Sequence, residues 1–437
     1  MTRSLRVVAT MALLHLSIGP SPARAVAPPP VDRAALPAAS SPAPPGPTEQ
    51  TGRCVGSAPA RITRGEQLSS LNLPTVWPLS RGSGQLVAVI DTGVARHRLL
   101  PHLLPGGDFV SSGDGTQDCD GHGTAVAGLI GGAPTSEFSG VAPDVGIMAI
   151  RQSSNKFRLT SDLSPDGLGD VDTLARAIRS AADAGATVIN ISTVACQPVT
   201  DPIDDRALGA ALAYAVDVRN VVIVSAAGNL GGRCTTQNPG VSAVHPGAPD
   251  WEHVESVASP AWYDDYVLTV GSVGASGAAS DFSLAGPWVD VAAPGENVVS
   301  LGVADDIVDH RPDDAGRRPL SGTSYAAPVV SGVVALIRSR SPQLSARQVI
   351  ARIEDTAHHP AGGWNPKVGH GVVDALAAVS ADAAGFDVPA PPPRPVSVHP
   401  DTAADSPLPR RVAFGGAALC IGLATMAAGA ARLRSRR

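Results

Sequence analysis

The sequence predicts an α/β fold, a doubly wound and mostly parallel sheet with helices on both faces, followed by one C-terminal transmembrane helix. Three observations carry this reading. Leu86–Ile90, Thr187–Ile191, Val221–Val224 and Val267–Val270 are near-continuous apolar runs, the pattern of strands buried on both faces. Stretches of helical period, Val171–Ala184 closed by Gly185 and Asp204–Arg219, lie between them, so strand and helix alternate. Far downstream, 412–431 is 20 residues without a charge, which as a helix reaches about 30 Å, the thickness of a hydrocarbon core.

The ends differ from the middle. Residues 1–25 read as a secretory signal peptide: Arg3 and Arg6 form a charged start, Val7–Ile18 an apolar core, and Ala23-Arg24-Ala25 an A-x-A cleavage site. The core is too short to span a bilayer, and Pro20 and Pro22 follow it at once, so cleavage is expected rather than anchoring. The basic tail 432–437 after the span is expected in the cytoplasm by the positive-inside rule. The chain is thus expected at the cell membrane, single-pass, with its body extracytoplasmic (on the periplasmic side). Residues 26–50 are rich in Pro and Ala and are expected to be extended or disordered; 387–411 read as a Pro-rich, semi-rigid stalk. The stretch between them, about 51–386, is long enough to bury a sizeable core.

Charge follows the same division. The formal net charge is −6, yet residues 1–25 hold three arginines, residues 410–437 hold six, and neither end holds an acid. Taking those nine charges away leaves 26–409 at −15. An acidic body between basic ends argues against a nucleic-acid partner.

Four of the five cysteines, Cys54, Cys119, Cys196 and Cys234, fall in the exported body and allow three pairings. Sequence does not choose among them; Cys54–Cys119 with Cys196–Cys234, nested within successive regions, is the favoured set. Without a C-x-x-C spacing no zinc site is expected. Asp114, Asp118 and Asp120 lack the full pattern of a calcium loop and are expected to form a solvated acidic loop. No metal and no cofactor is implied.

Three short motifs carry chemistry. Asp91-Thr92-Gly93 follows directly on the run Leu86–Ile90, which puts a carboxylate at a strand's carboxyl end, where it can orient an imidazole. His122 opens Gly121-His122-Gly123-Thr124-Ala125-Val126-Ala127-Gly128, a helix of small residues, and can face a carboxylate with one ring nitrogen while exposing the other. Ser324 lies in Gly322-Thr323-Ser324-Tyr325-Ala326-Ala327-Pro328, at the start of an apolar helix whose dipole and free amides favour a developing anion. Alone, each has a plainer reading: a turn aspartate, a surface histidine, an N-cap serine. Together, in the order Asp, His, Ser on an α/β chain, they are far more specific.

With these motifs, and with Gly140-Val141-Ala142-Pro143 and Val289–Gly295 in register, the chain resembles the subtilisin-like serine proteases over about residues 77–380. The resemblance implies a subtilisin-like fold and acyl transfer, with Ser324 as nucleophile, His122 as general base and acid, and Asp91 fixing the imidazole. It also implies that Asn229, in Ala226-Ala227-Gly228-Asn229, forms the oxyanion hole with the Ser324 backbone N–H. One departure stands out. Where subtilases commonly carry Ser-Leu-Gly-Gly along the substrate cleft, this chain has Ser192-Thr193-Val194. Val194 in place of a glycine wall implies a narrower cleft and restricted specificity.

The signal peptide, Pro-rich segments and terminal span around one protease domain resemble the mycosins, the membrane-anchored subtilases of actinobacterial type VII secretion. Arg151-Gln152-Ser153-Ser154 and the polar insertion Asn155–Asp170 are similar to that family too. The insertion is expected to be a mobile, cleavable loop. The resemblance implies that 51–80 is an extension packed on a protease domain at 81–386 and tied through Cys54, not an inhibitory pro-domain. The partners it implies are a secreted type VII substrate, the type VII secretion membrane complex, and membrane lipid around 412–431. Three roles follow: a specific endopeptidase, a scaffold subunit with dispensable catalysis, or a general degradative protease.

Overall fold

The structure, a computed structural model, describes residues 26–61, 67–162, 167–201, 203–241, 247–311 and 318–381. The segments expected as signal peptide (1–25), stalk (387–411), membrane span (412–431) and basic tail (432–437) lie outside the described residues. Among the described residues no helix is long and apolar enough to cross a membrane.

Seven strands form the central sheet: β1 (Leu86–Asp91), β2 (Leu103–Asp108), β3 (Gly146–Arg151), β4 (Val188–Ile191), β5 (Val222–Ala226), β6 (Val267–Val273) and β7 (Val291–Pro294). Their spatial order is β7-β6-β5-β4-β1-β3-β2, and every pair is parallel. The apolar runs form its core: Val87–Ile90, Val188–Ile191 and Val222–Val224 are fully buried.

Four helices position the site: α1 (His122–Gly131), α2 (Val171–Asp183), α3 (Arg206–Ala213) and α4 (Thr323–Arg340). After β1 the chain passes to β2 at one sheet edge and returns through α1 to β3, and from there β3–α2–β4 and β4–α3–β5 step toward the β7 edge. Helix α1 packs against α4, whereas α2 packs against α3. The chain therefore diverges between β1 and β4, and a crevice opens at their carboxyl ends, the usual ligand position in such sheets. Helix α4 packs on α1 and beneath β4, β5, β6 and β7, and is buried from Thr323 to Arg338. Asp170 starts α2 through a reciprocal cap with Thr173. The helix expected over 204–219 is α-helical only to Ala213 and continues as a π turn, Tyr214–Val218.

Residues 26–50, expected as extended or disordered chain, are extended but held. Val26 donates to the Trp251 carbonyl at 2.7 Å, and Val31 and Leu36 pack against the core. Thr48–Gln50 pairs antiparallel with Phe157–Leu159, so part of the insertion expected to be mobile is a strand. Composition marked both segments as loose; the partner each finds is more than 100 residues away in sequence. The chain then runs on through Cys54, disulfide-bonded to Cys119. Ser57 Oγ and Ala58 N–H both donate to Asp306 Oδ2 at 2.8 Å.

Candidate active site

Asp91 ends β1, and its side chain is fully buried. His122 is the first residue of α1. Its Nδ1 lies 2.7 Å from Asp91 Oδ1, which also accepts the Thr92 N–H at 2.7 Å. Two glycines permit this approach. Gly93 has φ +99, and a β-carbon there would strike the Gln117 carbonyl; one at Gly123 would strike the Gly93 carbonyl and crowd the Asp91 side chain. The glycines of D-T-G and H-G-T are thus what brings the helix start against the strand end.

The His122 side chain is 24% exposed while Asp91 is sealed beneath it. Burial opposes the imidazolium, but the charge and hydrogen bond of Asp91 outweigh it and hold the His122 pKa above its ordinary value. Because Nδ1 is committed to a carboxylate, the neutral ring carries its proton there and leaves Nε2 unprotonated.

The acidic loop before His122 is not solvated as expected. Asp118 is buried and caps the start of α1. Its Oδ2 accepts Thr124 N–H at 2.9 Å and Thr124 Oγ1 at 2.7 Å. Its Oδ1 accepts Thr92 Oγ1 at 2.9 Å, Gly121 N–H at 2.7 Å and Asp120 N–H at 3.1 Å. Burial pushes this carboxyl up to about 6, against five hydrogen bonds that favour the charge. Asp118 therefore ties the strand end bearing Asp91 to the helix bearing His122. Asp120 is engaged as well, accepting the Asn155 N–H at 2.9 Å. Sequence reasoning missed this because the alternating acids look like a surface loop until Thr92 and Thr124 fold around them. Among the described residues no group of His, Cys, Asp and Glu could hold a metal ion.

Ser324 is the second residue of α4, so its N–H is among the amides that have no partner within the helix. Asn229 follows β5 and is anchored to the same helix start: its Oδ1 accepts Thr323 N–H at 2.9 Å and Thr323 Oγ1 at 3.2 Å. A backbone N–H can only donate, so the oxygen faces Thr323 and the Nδ2 amide is left to donate elsewhere. A β-carbon on Gly322 would lie 3.1 Å from Ser324 Oγ and 3.6 Å from Asn229 Nδ2, which places both groups around the bare Gly322 backbone.

His122, Asn229 and Ser324 line one cleft of about 850 Å³. Ser192, Thr193 and Val194, which follow β4, form part of its wall. Asn190, on β4, donates to Ser192 Oγ at 2.9 Å and accepts from Ser331 Oγ of α4 at 2.9 Å, fixing the base of that wall. Cys196 at its end is disulfide-bonded to Cys234, past Asn229. The Tyr325 ring stands beside the imidazole, centroids 5.4 Å apart. The structure thus brings together every residue singled out for the site, and adds Asp118 and Tyr325.

A buried carboxylate on a ring nitrogen, a serine at a helix start and an amide donor around one crevice, on a parallel α/β sheet, define the class of the serine proteases of subtilisin type. The profile of the Subtilase family matches residues 82–371. Mycosin-4 of Mycobacterium tuberculosis (strain ATCC 25618 / H37Rv) is 55% identical over 457 residues, covering 100% of this chain and 98% of the relative. The solved MycP3 protease from the type VII (ESX-3) secretion system is 44% identical, with a TM-score of 0.77 over 82% of this chain and 100% of that one. A chain in the structure of an intact ESX-5 inner membrane complex is 41% identical, with a TM-score of 0.77 over 92% of this chain and 100% of that one. The chain belongs to the subtilase family of serine proteases and, within it, to the mycosins.

Proposed function

We propose that this chain is a serine endopeptidase working through Asp91, His122 and Ser324. The observation that carries the proposal is the 2.7 Å Asp91–His122 contact at the edge of the cleft that Ser324 and Asn229 share. Ser324 Oγ attacks a peptide carbonyl as His122 Nε2 takes its proton. The oxyanion is met by Asn229 Nδ2 and the Ser324 N–H. His122 then hands the proton to the leaving amine, and water repeats the cycle in reverse to free the acid. Asp91 stays ionised throughout and holds the tautomer. Val194 on the cleft wall supports a restricted range of substrates.

The setting we propose is a type VII secretion system. The mature chain would begin after residue 25 and be held in the membrane by 412–431, with the protease domain outside and the tail 432–437 in the cytoplasm. Its substrate would be a protein secreted by that system. The relative solved within the ESX-5 inner membrane complex supports this setting, and it also favours a second reading, a scaffold subunit whose catalysis is dispensable to assembly. Ser324→Ala in the native host, with substrate processing and complex assembly followed side by side, tests both. Loss of processing with assembly intact supports the protease and separates the roles. Unchanged processing overturns the enzymatic reading.

A further inference from the structure

The residues 26–409 carry a charge of −15, yet two exposed arginines, Arg233 and Arg311, line the cleft. They come from two different elements. Arg233 sits in the turn between Asn229 and Cys234, whose ends are pinned by the Gly231–Cys234 backbone pair and by the disulfide to Cys196. Arg311 lies on the ladder that leads into the serine helix, its N–H donating to the Arg318 carbonyl at 3.1 Å, with His310 paired to Pro319 next to it. Its charge reaches the reacting groups, disfavouring the imidazolium of His122 and favouring the phenolate of Tyr325.

Neither guanidinium is held in a close ion pair. Arg233 is 72% exposed, and the acid nearest to it is Asp201 at 4.0 Å, itself half exposed. Arg311 has no acidic partner among the described residues. The acids that line the cleft are turned into the fold instead. Asp120 accepts from Ser154 and Asn155, and Asp170 caps α2 through Thr173. A peptide entering here therefore meets exposed guanidiniums from two elements, while the lining carboxylates have their oxygens engaged by the fold. Both guanidiniums are exposed, so the preference they impose is the modest, salt-sensitive one of screened charges.

We propose that Arg233 and Arg311 make the cleft selective for peptide segments with acidic side chains within a few residues of the bond that is cut. This rests on the endopeptidase reading above and names its substrate class.

The test uses the purified full-length chain in detergent and a plain, uncharged fluorophosphonate that labels Ser324. Eight-residue peptides identical except for one Glu, Gln or Lys, moved through each position, are added to protect the serine. Glu peptides are expected to protect at roughly three- to tenfold lower concentration than their Lys counterparts at some positions. That ratio should shrink as salt is raised, and the double charge reversal Arg233→Glu with Arg311→Glu should invert it. Both side chains are exposed, and the salt series on the unmutated chain stands even if the variant folds poorly. Labelling that proceeds normally while protection ignores peptide charge overturns this inference and leaves the protease reading standing. Absence of labelling by the plain probe overturns that reading, and the inference with it.

Discussion

Asn229 Oδ1 accepts the Thr323 N–H at 2.9 Å, so the residue after β5 is locked to the first turn of the helix that carries Ser324. The Thr323 hydroxyl reinforces the lock, accepting the Gly228 N–H at 3.2 Å. With its oxygen spoken for, the amide can only present Nδ2 to the cleft, which is the geometry an oxyanion donor requires. Asn229→Ala is expected to lower kcat by about 10²–10³-fold, since the donor acts on charge that appears in the transition state. KM should change little. Steady-state kinetics on a processed substrate would measure the split, and a large rise in KM with kcat preserved would contradict this role.

The buried Asp91 carboxylate sets the pH response. It holds the His122 pKa above the ordinary imidazole value, and only the neutral ring can act as base. The acid limb of kcat/KM is therefore expected above about 6.5. Asp91→Asn should lower kcat by about 10⁴-fold. Burial, then opposed only by the charge of Asp118, should move the His122 titration down, which NMR of the imidazole would follow. The stability linkage has the same origin: a raised histidine pKa stabilises the fold fully below the unfolded value, and that contribution is lost as pH rises through the folded one. In Asp91→Asn this loss should disappear from the pH dependence of the unfolding midpoint.

Asp118 touches neither the serine nor the cleft, yet it holds the Asp91 and His122 segments together. Asp118→Asn keeps the shape but turns an NH₂ toward donors on one side, whichever way the amide is placed. A destabilisation of about 1–3 kcal/mol is expected from the donors left unpaired. Urea unfolding would measure it, and an unchanged midpoint would show that the network is dispensable.

The Cys196–Cys234 bond joins the wall that follows β4 to the turn that follows Asn229. Replacing both cysteines by serine is expected to cost about 2–4 kcal/mol of stability. Loosened walls should raise KM more than they lower kcat, because the proposed triad residues are carried by β1, α1 and α4. A kcat loss with KM intact would place the bond's effect at the chemistry instead.

Much of this site was legible in the sequence because its motifs are local. Asp91, His122 and Ser324 each sit at the junction of a strand or helix with a glycine that permits close approach, and such junctions leave a pattern of a few residues. The four apolar runs gave the sheet for the same reason. What was not legible depends on contacts across sequence. Asp118 reads as a loop acid until Thr92 and Thr124 close on it. Residues 26–50 read as loose chain because Pro and Ala carry no pairing signal, and the strand that Thr48–Gln50 finds is Phe157–Leu159. Arg311 enters the cleft only through the ladder that brings it back beside Leu320 and Tyr325.

The most direct test of the central claim is labelling of the full-length chain by a fluorophosphonate, followed by mass mapping of the modified residue. The arrangement predicts a single adduct on Ser324 that is absent from Ser324→Ala and much slower to form in His122→Ala. An adduct elsewhere, or none on a chain that remains folded, would contradict the assignment of Ser324, His122 and Asp91 as a working triad.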